Sequence, residues 1–455
     1  MAKNEVEDVE LCLAPTEYGM LTDLYQLTMT ACYIGEGLEN AHASFELFVR
    51  HLPEGFSYLV AMGLAQAVDY LQKLSFNSEQ IEALRATGIF PQVSDKFWST
   101  LANTRFTGDL WAVPEGTIIF ANEPILRVEA PLWQAQLVET YLLNTINYQT
   151  LIATKAARMR DVAGDRATLL EFGTRRAFSP QASLWAARAA LSAGMNSTSN
   201  VLAAVKLGRK PSGTMAHSLV MALAATEGNE DMAFTAFHHY FPNSPLLIDT
   251  FDTIEAARHL AAKVQSGEMN LKGVRLDSGD LVSLSQTVRS LLPDVAIFAS
   301  GDLDEFEIAR LQAEGACIDG YGIGTKLVTG TPVNGVYKLV EINDIPVSKK
   351  SSGKQTYPGR KQIFRRIDPA NEQYTDRLGL ATEATQPNEQ ALLELIIKNG
   401  TQIKPTESLE AIAQRTRTAI VNLPSAIRDI NQIHPISPQL SHHLQSLIDA
   451  QPRSV

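Results

Sequence analysis

The chain has 455 residues, long enough for more than one core, so several domains are expected. Its 39 Lys plus Arg against 50 Asp plus Glu give a formal net charge of −11, which argues against a nucleic-acid partner, since such proteins present basic surfaces to phosphate backbones. Cys12, Cys32 and Cys317 are odd in number and lack metal-type spacing, which suggests neither a disulfide framework nor a zinc ribbon and points to a reducing compartment.

The first dozen residues are polar and acidic and lack the apolar core of a secretion signal. No later run approaches the about 18 apolar residues of a membrane span, so a cytoplasmic protein with no membrane partner is expected. Residues 21–33 have helical spacing, residues 44–49 alternate as a strand, and residues 58–74 return to helical spacing. From 106 to 130, Gly108, Pro114, Gly116 and Pro124 punctuate short β-type runs, which predicts a small antiparallel unit. Val138, Tyr141, Leu142, Thr145, Ile146, Gln149, Ile152 and Ala153 then recur every three or four residues and predict one long amphipathic helix.

Beyond it, strand-like runs at 167–172, 246–248, 273–276, 295–299 and 320–323 alternate with helical stretches at 183–191, 218–225, 254–264 and 303–314. Regular alternation predicts a parallel α/β core, open or closed into a barrel, with its chemistry at strand C-terminal ends. After residue 341 the pattern breaks, and residues 348–366 form a basic stretch punctuated by Gly and Pro.

The strand ends carry the chemical residues. Glu171-Phe-Gly-Thr-Arg-Arg176 places Arg175 and Arg176 after a glycine that permits close approach, beside the flat ring of Phe172. The two arginines read either as a solvated pair or as an anion clamp. His217, in Ser212-Gly-Thr-Met-Ala-His-Ser218, opens an apolar helical run and either fills space there or acts as a phosphoryl acceptor. Arg275 and Asp277 are two apart in a strand and share a face, although Asp277 or Ser278 could instead cap the next helix. Asp249-Thr-Phe-Asp-Thr253 has the same ambiguity. Ala299-Ser-Gly-Asp302 and Gly320-Tyr-Gly-Ile-Gly-Thr325 offer turn amides to phosphate, but match neither the dinucleotide nor the Walker fingerprint.

Taken in order, these segments resemble the nicotinate phosphoribosyltransferase family. The resemblance starts at Leu21-Thr-Asp-Leu-Tyr-Gln-Leu-Thr-Met29, runs through the strand ends above, and includes Lys354 and Pro358-Gly-Arg-Lys-Gln362 as a basic loop. It implies an irregular type II phosphoribosyltransferase α/β barrel over residues 136–344, an N-terminal α+β sandwich over 15–135, and a C-terminal extension over 345–455 that helps to complete the sandwich. It implies attack of the nicotinate ring nitrogen on phosphoribosyl pyrophosphate, coupled to ATP hydrolysis with Mg²⁺, in a homodimer with shared active sites.

By that resemblance, Phe172 and Tyr25 of a partner subunit sandwich the pyridine ring, with Asp23 nearby. Arg275 holds the carboxylate, Asp277 faces the ribose, and Arg175 or Arg176 binds phosphate. Gly301, Asp302, Gly322, Gly324 and Thr325 receive the ribose phosphate, with Ser218, Asp249 and Lys354 also at the substrate site. His217 is the residue transiently phosphorylated. The chain departs from the family's pattern after Arg176, where Ala177-Phe-Ser-Pro-Gln-Ala182 replaces a Gly-rich continuation. Nicotinamide phosphoribosyltransferase, quinolinate phosphoribosyltransferase and a non-catalytic metabolite-binding barrel are the competing expectations.

Overall fold

The computed structural model describes residues 11–349, 356–368 and 373–450. Two sheets dominate it. One has seven strands in the order Ile345–Pro346, Gly335–Ile342, His42–Val49, Pro124–Pro131, Asp109–Ala112, Glu394–Lys398 and Thr401–Gln402. Every neighbouring pair in it is antiparallel. Its centre comes from the early chain and its edges from segments that follow the parallel sheet.

The central strand His42–Val49 is buried on both faces after its first residue, so its one carboxylate there, Glu46, needs an internal counter-charge. Lys361 supplies it at 2.9 Å, and its ammonium also donates to the carbonyls of Tyr357 and Gly359. Burial pulls the Lys361 ammonium below its ordinary value while Glu46 opposes that shift. Arg360 pairs with Glu341 at 2.8 Å and with Glu129 at 3.3 Å. The described end of the basic stretch therefore neutralises buried carboxylates within the fold. Lys354 lies outside the described residues.

The expected helix over 58–74 is divided. Leu59–Val60 pairs as a strand with Ile118–Ile119, and the helix starts only at Leu64. Gly63 makes the break with φ of 105°, a conformation costly for other residues, and a side chain there would reach 3.0 Å from the Thr145 carbonyl. The predicted long helix runs Glu139–Ala163, ten residues past the periodic signal, and stops at Gly164 with φ of 72°. Most of its circumference is buried. Thr150 and Thr154 on it receive hydrogen bonds from the backbone amides of Met62 and Val60, tying this helix to the short Leu59–Val60 strand and the residue beyond it.

The second sheet has six strands in the order Ser197–Thr198, Thr168–Glu171, Gly320–Ile323, Ala296–Gly301, Gly273–Leu276 and Leu246–Leu247, all parallel. Its edge strands do not pair with each other. Yet the segment after one edge, residues 211–217, bonds to Thr250 beyond the other edge and to Arg275 beside it. The sheet must curl for these contacts to form, which gives an incompletely closed barrel with all six strand C-terminal ends on one side. No helix among the described residues is long and apolar enough to cross a membrane.

Candidate active site

A cavity of about 740 Å³ opens at those strand ends. Phe172, Arg175, Arg176, His217, Arg275, Asp277, Gly301, Asp302, Gly322, Gly324 and Thr325 all line it, although they come from separate strands and loops. Ser218 and Asp249 are not among its lining residues, although Asp249 accepts from the amide of Asp277, which is. Asp23 and Tyr25 are elsewhere: Asp23 accepts from the Thr140 hydroxyl at 2.9 Å, and Tyr25 donates to Glu139 at 3.3 Å. Burial first, then Glu139 and Asp23, push the Tyr25 phenol up to about 12, so it remains neutral.

The Phe172 ring is positioned from two sides. Gly322 packs beneath it so closely that a Cβ would lie 2.5 Å from Phe172 Cε2. Behind it, the buried Glu171 carboxylate accepts from the Gly173 amide and the Thr198 hydroxyl, pinning the turn that presents the ring. Burial pushes the Glu171 carboxyl up, against these two hydrogen bonds. Arg175 and Arg176 follow on the exposed side of the turn, with no carboxylate partner among the described residues. Both are exposed and both line the cavity.

Arg275 projects from Gly273–Leu276 into the cavity. One guanidinium nitrogen donates to the Met215 carbonyl at 3.1 Å, while its Nε is buried with no protein partner. Such a donor costs about 1–3 kcal/mol unless something completes it. Burial lowers the Arg275 pKa and the carboxylates of Asp277 and Asp249 oppose that, so the group stays cationic.

Asp277 does not cap the following helix; Asp280 does, accepting from the amides of Val282 and Ser283. Asp277 is instead held at the cavity wall. Its Oδ1 accepts from Ser300 at 2.5 Å, and its own amide donates to Asp249 Oδ2 at 2.8 Å. Asp249 also accepts from Ser278 at 2.7 Å, which makes it a brace behind Asp277. The capping role in its own segment falls to Asp252.

His217 is the first residue of His217–Glu227, a helix whose N-terminus has no side-chain cap. Its Nδ1 is 3.0 Å from the Thr250 hydroxyl and its Nε2 is 3.8 Å from Asp277 Oδ2. The ring also lines the cavity. Free amides at a helix start favour an anion at that point. Sequence reasoning missed Ser300 and Thr250 as partners, although both lie inside quoted motifs; a pairing 33 residues apart leaves no local signal. It also missed Glu171 with Thr198, since a buried carboxylate at a strand end is not separable from an exposed one by spacing.

The site is a flat ring, a cation with an unmet donor, two arginines without a carboxylate partner among the described residues, a braced carboxylate and an imidazole around one space. Residues 20–147 match the nicotinate phosphoribosyltransferase N-terminal domain and residues 167–299 match the nicotinate phosphoribosyltransferase family. The chain is 42% identical over 422 residues to a nicotinate phosphoribosyltransferase of Mycobacterium tuberculosis, covering 90% of this chain and 89% of that one. The chain belongs to the nicotinate phosphoribosyltransferase family.

Other members of that family agree. A Bacillus subtilis nicotinate phosphoribosyltransferase is 42% identical over 77% of this chain and 73% of its own. The human enzyme is 31% identical over 95% and 96%. The crystal structure of human nicotinic acid phosphoribosyltransferase superposes with a TM-score of 0.83 at 29% identity, covering 95% of this chain and all of that one. A Pyrococcus furiosus nicotinate-nucleotide pyrophosphorylase, at TM-score 0.73 and 24% identity, shares the fold. The expected α/β fold of this nicotinate phosphoribosyltransferase family is thus the observed one.

Proposed function

We propose that the chain transfers phosphoribosyl from phosphoribosyl pyrophosphate to nicotinate, giving nicotinate mononucleotide and pyrophosphate, with ATP consumed in the cycle. The observation that carries this reading is Arg275, a half-buried cation whose buried Nε is unmet, in the same cavity as the Phe172 ring. A planar aromatic acid meets both groups, its carboxylate completing Arg275 and its ring lying on Phe172. A neutral amide would bring no charge to the guanidinium and make a weaker hydrogen bond to Nε than a carboxylate does, which favours nicotinate over nicotinamide.

A pyridine nitrogen carries its lone pair at neutral pH, so the attack needs no strong general base. The lone pair forms the bond to the anomeric carbon as the bond to pyrophosphate breaks, and the departing electron pair stays on the pyrophosphate oxygen. Asp277, fixed by Ser300 and Asp249, faces the positive charge that develops on the sugar. Arg175 and Arg176 offer charge to the leaving group. Turn amides near Gly301 and Gly324 suit the sugar phosphate.

Asp277 and Asp302 both line the cavity, while no cluster of three or more His, Cys, Asp or Glu among the described residues could hold a metal. That donor set suits Mg²⁺ carried in on phosphate groups, bound by one or two carboxylates. Mg²⁺ so bound would neutralise charge on the pyrophosphate.

In the ATP half of the cycle, an imidazole lone pair of His217 forms a bond to the γ-phosphorus as the bond to ADP breaks. Asp23 and Tyr25 do not line the cavity of their own chain. Leu21, Leu24 and Tyr25 are exposed together at the start of the first long helix, which supports a homodimer in which this edge completes a second copy's site. The reading places the reaction in the cytoplasm.

The test is a two-substrate assay with Mg²⁺, run with and without ATP. Nicotinate should be converted to the mononucleotide, and ATP should raise the yield. Arg275→Gln should raise the nicotinate KM by about a hundredfold, since a hydrogen bond to a charged group is worth about 1.5–3 kcal/mol. Comparable turnover of nicotinamide by the unaltered protein would reject the reading.

A further inference from the structure

We infer that Lys155 and Tyr148 are positioning residues for the sugar phosphate: from the long helix they anchor the turn after Gly324 and so fix its distance from the turn after Gly301. The inference rests on the reading that these two turns receive the ribose phosphate, and it adds residues that do not line the cavity themselves. The turns leave neighbouring parallel strands, paired at Ser300 with Gly322 and at Gly301 with Ile323. The pairing ends there, yet Asp302, Gly324 and Thr325 beyond it are cavity wall. Lys326 and Asp304, one from each turn, approach to 3.6 Å.

The helix Glu139–Ala163 grips both turns. Its Lys155 ammonium donates to the Thr329 carbonyl at 2.6 Å, and its Tyr148 phenol donates to the Val328 carbonyl at 3.1 Å. Thr329 in turn donates from its hydroxyl and its amide to the Thr325 carbonyl, at 2.7 and 3.1 Å, so the grip reaches the cavity wall. At the other turn, Arg158 pairs with buried Glu305 at 2.9 Å, next to Asp304, which accepts from the Glu307 amide at 3.0 Å. The Lys155 charge is felt on this side too: burial lowers its ammonium, while Glu305 and then Asp304 oppose that shift. Tyr148, Lys155 and Arg158 are seven and three residues apart, which puts them on one side of the helix. Gly330 leaves room for the ammonium, since a Cβ there would lie 3.1 Å from Lys155 Nζ.

The test uses the full chain and measures both substrate KM values together with inhibition by ribose 5-phosphate and by pyrophosphate. Lys155→Met should raise the KM for phosphoribosyl pyrophosphate and the inhibition constant of ribose 5-phosphate about tenfold each, the lower end of what one charged hydrogen bond is worth. Tyr148→Phe removes a neutral donor from the same turn and should shift the same two constants in the same direction by about threefold. The nicotinate KM and the inhibition constant of pyrophosphate should stay within about twofold in both variants, because Arg275, Arg175 and Arg176 lie outside these turns. Equal changes in every constant would mean a general loosening of the site and overturn the inference. So would a ribose 5-phosphate constant left unchanged by Tyr148→Phe, a variant that keeps the buried ring and therefore the packing. Failure of ribose 5-phosphate to compete in the unaltered protein rejects the reading of the two turns as a phosphate site, and the inference with it, before any variant is made.

Discussion

Replacing Gly322 with alanine tests whether the Phe172 ring is a binding surface set by its neighbour. The added Cβ would lie 2.5 Å from Phe172 Cε2 and 2.6 Å from Cδ2, well inside contact distance. Gly322 cannot withdraw, because its strand is paired through Ser300 on one side and Leu170 on the other. The half-buried ring must therefore swing toward the cavity and into the space assigned to the pyridine. Overpacking of this kind costs about 1–3 kcal/mol, which corresponds to a rise in the nicotinate KM of about fivefold to 150-fold.

Steady-state kinetics with each substrate varied in turn provide the assay. The effect should fall on nicotinate more than on phosphoribosyl pyrophosphate, and the melting temperature should change little. Gly213→Ala is the control, since Gly213 lines the same cavity but a Cβ there meets nothing within 4 Å. A nicotinate KM for Gly322→Ala within twofold of the unaltered value would refute the argument.

Arg188 and Glu115 form a buried bidentate pair at 2.8 and 2.7 Å. Arg188→Met should lower stability by about 3–5 kcal/mol in denaturant titration, because it strands a buried carboxylate, and the double replacement of both partners by methionine should recover much of the loss. A single variant as stable as the parent would show the pair to be idle. Glu123 accepts from the Phe120 amide at 2.8 Å, and burial first, then Asp376, push its carboxyl well above the usual range, against Arg365. The folded state therefore holds this proton more tightly than the unfolded chain, so its stabilising contribution is full below the unfolded value of about 4.3 and fades as pH rises toward the folded one. Glu123→Gln cannot titrate, so its melting temperature relative to the parent should climb as pH rises above about 4.3. A difference that is flat or falls with pH would contradict this assignment.

The predicted parallel strands differ from the observed ones by a residue or two at most ends, because each is a short apolar run closed by glycine and charge. Arg275 and Asp277 were legible as a pair on one face, since strand alternation is a local rule. The helix expected over 58–74 was not, because the break lies in the backbone angle of Gly63 and the carbonyl pressing on it, and neither changes the apolar spacing. The charges after Pro358 were read as a basic loop, and their opposite charges turned out to be Glu46, Glu129 and Glu341, distant in sequence and buried beside them.

The amino-acid order alone determined the alternation of strand and helix and the chemical kit at the strand ends, because periodicity and turn residues act within a few positions. Only the tertiary structure decided that residues 211–217 bridge to Thr250 across the sheet's two unpaired edges, that Asp249 braces Asp277 from behind, and that late strands complete the early antiparallel sheet. Those outcomes depend on which buried charge or donor finds its complement. That choice is made by desolvation across the whole fold, and no local window of sequence contains it.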